Sequence, residues 1–290
     1  MIVNDNFIIF AKEEEYIMTG DDMRFTKMQA YGNDYAYIFA FSGVPAQLTR
    51  LARFCSDRRR GIGGDGMILI CRSDTCDIKM RVFNPDGSEA EMCGNALRSA
   101  AALAYMKGIA AGKRVTVETL AGVRSVDILE CDGAVCRAAA YLGKAQNVKI
   151  YGFPLKVRSK RFEAAYVSLG NPHCVVFAEN INKLDLKKYG GDIEKSRLFP
   201  NGANVHFCSP GGGNIINARS WERRCGETPS CATGAAAILY ACAVTGRSGK
   251  CAYIKHPGGM LLVESREDGL RVTGETRVVY EGEFSPENVL

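Results

Sequence analysis

The clearest chemistry lies in two short segments. Cys93-Gly94-Asn95-Ala96 and Cys231-Ala232-Thr233-Gly234 each set a cysteine at the head of an alanine-rich run with helical spacing. A helix N-terminus carries unpaired N–H groups and a partial positive charge. A thiol placed there is drawn toward its thiolate, and the same N–H groups hold a carboxylate. If the two cysteines face one carbon from opposite sides, one thiolate removes the α-proton while the other thiol delivers a proton to the far face. That inverts a stereocentre by general acid–base catalysis, and the helix termini stabilise the enolate-like charge. The chemistry needs neither metal nor pyridoxal, so no cofactor is expected.

Other polar residues suit an amino-acid ligand. His173 follows Gly170-Asn171-Pro172, where it is placed to relay a proton to a thiol. Glu222-Arg223 closes a strand that feeds the second helix. Its carboxylate suits an ammonium group, and its guanidinium forks onto a carboxylate. Asn33, Asn84, Asn171 and Asn204 sit at strand ends or glycine-rich turns, where asparagine serves either the turn or a ligand.

The elements that must position these residues are mostly strands. Alternation and β-branched content predict strands from Met23 and at Tyr35–Phe41, Gly66–Cys71, Ile78–Phe83, Val115–Thr119 and Val123–Leu129. They recur at Ala165–Leu169, Val175–Ala178, Val205–Cys208, Asn214–Trp221, Gly259–Ser265, Leu270–Gly274 and Arg277–Tyr280. Helices are expected at Ala46–Arg58, Cys93–Lys107, Leu184–Tyr189 and Cys231–Val244. A shift of 138 residues, the separation of Cys93 from Cys231, brings Gly32-Asn33 onto Gly170-Asn171 and Arg81 onto Arg219. Glu89 falls on Glu227 by the same shift. We read an internal duplication, with the two helix N-termini facing one cleft across a pseudo-twofold axis.

Composition narrows the classes. With 290 residues, 47% hydrophobic and 24% charged, the chain is globular. A net charge of +5, evenly spread, does not argue for nucleic acid. No apolar run approaches the ~18–20 residues of a membrane span, so no membrane partner is expected. Phe7-Ile8-Ile9-Phe10-Ala11 is too short for a signal segment, and we expect a cytoplasmic protein. Residues 1–22 carry none of the motifs and read as an N-terminal extension or an early start ahead of Met23. The 12 cysteines include no C-x-x-C, and Cys71/Cys76 and Cys131/Cys136 lack a second half-site for zinc. We expect no metal, no disulfide frame, and mostly buried core thiols. Gly61-Ile62-Gly63-Gly64-Asp65-Gly66 matches a dinucleotide fingerprint in letters only, because a strand follows it where a helix is required. These glycines are expected in a tight turn close to a ligand.

Together these motifs resemble the diaminopimelate epimerase family. The resemblance runs through Gly32-Asn33-Asp34-Tyr35, Phe83-Asn84-Pro85-Asp86-Gly87-Ser88-Glu89 and Cys93-Gly94-Asn95. It continues through Gly170-Asn171-Pro172-His173-Cys174, Ala203-Asn204, Glu222-Arg223, Gly226-Glu227-Thr228 and Cys231 to Gly234. It implies an α+β fold of two pseudo-symmetric domains, each a mixed sheet or barrel rolled around a central helix, with the active site between them. We place these domains at residues 23–139, with 277–290 returning to the first, and 140–276. The resemblance also implies a homodimer and a cofactor-independent epimerase of LL- and meso-diaminopimelate, on the route to lysine and peptidoglycan. It makes Cys93 and Cys231 the acid–base pair, assisted by His173 and Glu222. It gives substrate binding to Asn33, Asn84, Asn171, Asn204, Glu222 and Arg223, and to Gly94, Asn95, Ala232 and Thr233 after the cysteines. The family commonly has glycine where this chain has Ala96 and Ala232, and some members have glutamine at Gly66. The methyl of Ala232 would disfavour a positive φ beside the substrate carboxylate. Competing readings are a racemase of another amino acid and a non-catalytic Cys93–Cys231 thiol switch.

Overall fold

The computed structural model describes residues 22–289, so the extension read at residues 1–22 lies, apart from Asp22, outside the described residues. The first half runs β1 (Met23–Ala30), β2 (Asn33–Phe39), α1 (Leu48–Ser56), β3 (Gly66–Cys71), β4 (Ile78–Phe83), β5 (Glu89–Ala90), α2 (Gly94–Met106), β6 (Arg114–Glu118) and β7 (Arg124–Asp132). β8 (Val135–Tyr141) and β9 (Gln146–Val157) lead to the second half. There follow β10 (Lys160–Ser168), β11 (Pro172–Phe177), α3 (Leu186–Glu194), β12 (Asn204–Pro210), β13 (Ile215–Glu222) and β14 (Gly226–Thr228). α4 (Ala232–Val244), β15 (Cys251–His256), β16 (Gly259–Arg266) and β17 (Gly269–Phe284) complete the fold.

The 138-residue shift carries the bounds of α1 onto α3 and those of α2 onto α4. The strand registers follow. Tyr35 pairs with Gly66 as His173 pairs with Asn204, and Met67 with Phe83 as Val205 with Trp221. The Arg81–Glu89 ion pair is repeated as Arg219–Glu227. Strands β1, β2, β3, β4, β6, β7, β8 and β17 pair in succession, and β17 returns to β1, which closes a barrel around α2. β9 through β13, with β15, β16 and β17, wrap α4. The small alanines of α2 and α4 let strands approach on every side. Both helices are therefore buried almost all round, as core helices rather than amphipathic surface ones.

Several sequence expectations change. The strands expected at Leu270–Gly274 and Arg277–Tyr280 are one, β17, which pairs with β16, β8 and β1 and so is shared by both halves. β8, β9 and β15 were not expected from the pattern. The helix expected at Leu184–Tyr189 starts at Leu186 and continues through Gly190-Gly191 to Glu194. Gly190 is not a breaker there: a Cβ on it would lie 2.7 Å from Trp221, so glycine lets the helix approach the sheet. One disulfide is present, Cys131–Cys136, because the β7–β8 hairpin sets these residues directly opposite each other. Six of the other cysteines are buried. Among the described residues, no helix is long and apolar enough to cross a membrane.

Candidate active site

Cys93 and Cys231 are the N-cap residues of α2 and α4, with matching backbone angles (φ −129°, ψ 118° and φ −131°, ψ 111°). Ala232 lies within α4 and is absent from the positive-φ residues, so its methyl strains nothing. The methyl instead fills the space beside Gly94, where an added Cβ would lie 2.9 Å from it. Gly94 and Ala232 are equivalent under the 138-residue shift. Equivalent residues that touch mark the pseudo-twofold axis, and the two sulfurs flank it. They open into one cavity of about 510 Å³, lined also by Asn33, Asn84, Asn95, Asn171, Asn204, Glu222, Arg223 and Thr233.

The two sulfurs have different neighbours. Tyr35 donates its hydroxyl to Cys93 Sγ (3.7 Å), and Cys93 donates to Asn33 Oδ1 (3.6 Å). The amide of Asn95 donates to Asn33 Oδ1 (3.3 Å) and to Ser230 O (3.2 Å), and so ties the halves together. Cys231 donates to Glu222 Oε2 (3.2 Å) and accepts from the Gly234 N–H (3.4 Å). Thr228 donates to the other oxygen of Glu222 (2.6 Å). Burial raises both thiols, and the Glu222 charge raises them further. The Asn95 and Ala96 N–H groups act against this at Cys93, as do Thr233 and Gly234 at Cys231. Burial likewise holds the Glu222 carboxyl above its usual range, toward the value a proton acceptor needs.

The remaining candidates divide. Arg223 reaches across the cleft to Glu91 (3.0 Å), which lies two residues before Cys93. Both polar groups of the Asn204 side chain are taken, one by Pro172 O and one by the Arg223 N–H, so it braces the turn that carries Arg223. Asn84 bonds Ser88 and shapes the Asn84–Ser88 turn. His173 does not relay to a thiol directly. Both ring nitrogens are occupied, by Asn171 Oδ1 (2.8 Å) and His206 Nε2 (2.9 Å), and Asn171 stands between it and the cavity. The glycine-rich turn approaches the site through Asp65, not its glycines. Asp65 accepts from Asn33 Nδ2 (2.8 Å) and is itself held by Arg58. Sequence reasoning missed Asp65, Glu91 and Tyr35; the signal for Tyr35 was its equivalence to His173.

The sequence profile described as diaminopimelate epimerase matches residues 25–148 and again 165–283, one copy for each half. The chain belongs to the diaminopimelate epimerase family. Diaminopimelate epimerase of Desulfovibrio desulfuricans is 38% identical over 281 residues, covering 90% of this chain and 98% of that protein. That of Acetivibrio thermocellus is 38% identical over 274 residues, covering 90% and 98%. Among solved structures, a PhzF-family phenazine biosynthesis protein of Bacillus anthracis has a TM-score of 0.69 at 17% identity, covering 91% of this chain and 99% of that one. A hydroxyproline epimerase of Agrobacterium vitis, with bound trans-4-hydroxy-L-proline, has a TM-score of 0.67 at 16% identity, covering 93% and 95%. At such identities these two speak for the fold alone.

Proposed function

We propose that the chain interconverts LL- and meso-2,6-diaminopimelate by a two-base mechanism, supplying lysine and peptidoglycan precursors. The observation that carries the reading is the contact of equivalent residues Gly94 and Ala232, which puts two cysteine-capped helix N-termini on either side of one cavity. The substrate α-carboxylate sits between the termini, held by the N–H groups of Gly94 and Asn95 and of Ala232 and Thr233. The α-carbon then lies between the sulfurs. Glu222 accepts the proton of Cys231, whose thiolate takes an α-proton, while Cys93 protonates the opposite face. In the reverse direction the Cys93 thiolate is the base, and Tyr35 donates its hydroxyl to that sulfur. The distal ammonium and carboxylate lie toward Glu222, Arg223 and the asparagines. The family names and the breadth of this polar set support diaminopimelate over a shorter amino acid. A cytoplasmic homodimer belongs to the same reading, and sedimentation velocity tests its dimeric part.

The test is to make Cys93→Ser and Cys231→Ser and incubate each with each isomer in deuterium oxide. Both should lose epimerisation. Each should retain α-hydrogen exchange or β-halide elimination with one isomer, and the two should prefer opposite isomers. A variant that epimerises near the normal rate refutes the two-base reading.

A further inference from the structure

The chain has three histidines, and all three lie in one buried polar chain that ends on Cys231. His256 Nε2 is 3.3 Å from Ser220 Oγ, which is 2.9 Å from His206 Nδ1. His206 Nε2 is 2.9 Å from His173 Nδ1, and His173 Nε2 is 2.8 Å from Asn171 Oδ1. Asn171 Nδ2 donates to Thr233 Oγ1 (3.5 Å), which is 3.6 Å from Cys231 Sγ. His173, His206, Ser220 and His256 lie on the adjacent strands β11, β12, β13 and β15, beneath the first turn of α4, which carries Thr233. The His206 ring rests on that turn: a Cβ on Gly234 would lie 2.3 Å from its Cε1.

The direction of the chain follows from its two ends. Burial depresses the histidines, His173 to about 3 and His256 to about 4 with His206 also well below its usual value, so each neutral ring has one N–H and one lone pair. His256 Nδ1 is buried with no partner among the described residues. A bare lone pair is tolerated better than a bare N–H, so the hydrogen sits on Nε2 and points at Ser220. Ser220 then donates to His206, His206 to His173, and His173 to the carbonyl oxygen of Asn171. The Asn171 amide passes the same sense to Thr233, whose hydrogen is left for the sulfur. The Asn171 end requires the same direction, because its oxygen can only accept. Bonds aligned in one sense polarise one another.

The first half has no such chain. Its equivalents of His173, His206 and Ser220 are Tyr35, Ile68 and Val82, and the Tyr35 hydroxyl reaches Cys93 by itself. We infer that His206, Ser220 and His256 are positioning residues for Cys231: through His173, Asn171 and Thr233 they present an O–H donor to its sulfur when the thiol proton passes to Glu222. This inference rests on the reading of Cys231 as an acid–base group. Each half thus offers its sulfur one hydroxyl donor, directly from Tyr35 or at the end of a chain. The charged groups facing the chain are Glu222 at the Cys231 end and Arg223 near His173.

The test uses the full chain and reads the sulfur and the rings themselves. Nitrogen NMR of protein labelled at histidine should show three neutral rings at neutral pH, each with its hydrogen on Nε2. A ring that is cationic or carries its hydrogen on Nδ1 overturns the chain. Ser220→Val, which places the first half's residue in the second, should slow iodoacetamide alkylation of Cys231 by roughly threefold, the order expected when polarisation rather than the last bond is lost. It should shift the alkylation profile of Cys231 to higher pH and leave Cys93 unchanged. His206→Gln, whose amide can donate to His173, should retain more Cys231 reactivity than His206→Ile. Wild-type alkylation of Cys231 in both Ser220→Val and His206→Ile overturns the inference. Wild-type protein that exchanges no α-hydrogen with any amino acid defeats the functional reading instead, and neither readout depends on that result.

Discussion

Replacing Glu222 by glutamine should move two measurements in opposite directions. Glu222 Oε2 lies 3.2 Å from Cys231 Sγ, and its other oxygen accepts from Thr228. Glutamine keeps the shape and the Thr228 bond but removes the negative charge. Two unit charges at this distance repel by about 5 kcal/mol at an effective dielectric of ~20, which sets a ceiling of about four pH units on the thiol shift. Losing a quarter of that brings the Cys231 thiol down by about one unit and makes its thiolate about tenfold more abundant below the pKa. Alkylation of Cys231 at neutral pH should therefore rise by about tenfold, with a smaller rise at Cys93, which feels the same charge from farther off. Epimerisation should fall by about 10²–10⁴ in kcat, because the group that accepts the thiol proton is gone. Tandem mass spectrometry of the two cysteine peptides, run beside a coupled turnover assay, measures both. A glutamine variant that alkylates at Cys231 more slowly than wild type, or turns over within a few-fold of it, refutes this role of the Glu222 charge.

Four further outcomes are expected. Arg223→Ala should lower kcat/KM for diaminopimelate by the equivalent of about 2–5 kcal/mol. Glu91→Gln, which removes only the half-exposed partner of Arg223, should change the unfolding free energy by under about 1 kcal/mol in urea titrations. Gly94→Ala should force the helix termini apart, since its Cβ would lie 2.9 Å from that of Ala232, and lower kcat by about a hundredfold. The double exchange Gly94→Ala with Ala232→Gly should recover most of that loss, and steady-state kinetics on both proteins decides it. Stability should drain away in acid through the buried histidines. Their folded values, about 3 for His173 and about 4 for His256, lie below the ordinary 6.5, so the unfolded chain takes up the protons. Their contribution is whole above pH 6.5 and is lost as the pH falls through the folded values, and urea midpoints that stay flat across that window would contradict the burial.

The sequence by itself determined the features that depend on neighbours along the chain. Cysteine followed by an alanine-rich helical run reads as a helix start because capping and periodicity are local. α2 and α4 begin one residue after Cys93 and Cys231 for that reason. The duplication was equally legible, since it needs only one fixed shift. Tertiary structure alone decided which groups meet. That the axis passes between Gly94 and Ala232 follows from how a barrel closes around α2, a second set of strands wraps α4, and the two share β17. The direction of His173 was hidden because its partner His206 lies 33 residues away, on the neighbouring strand β12. Glu91 and Asp65 looked like surface carboxylates in sequence, and only the cleft shows one against Arg223 and the other against Asn33. The Cys131–Cys136 pair needed the hairpin register, because a separation of five residues gives no facing partners until the turn is set. Local propensity acts over a few residues, whereas a site between two halves is made of contacts whose distances no spacing along the chain encodes.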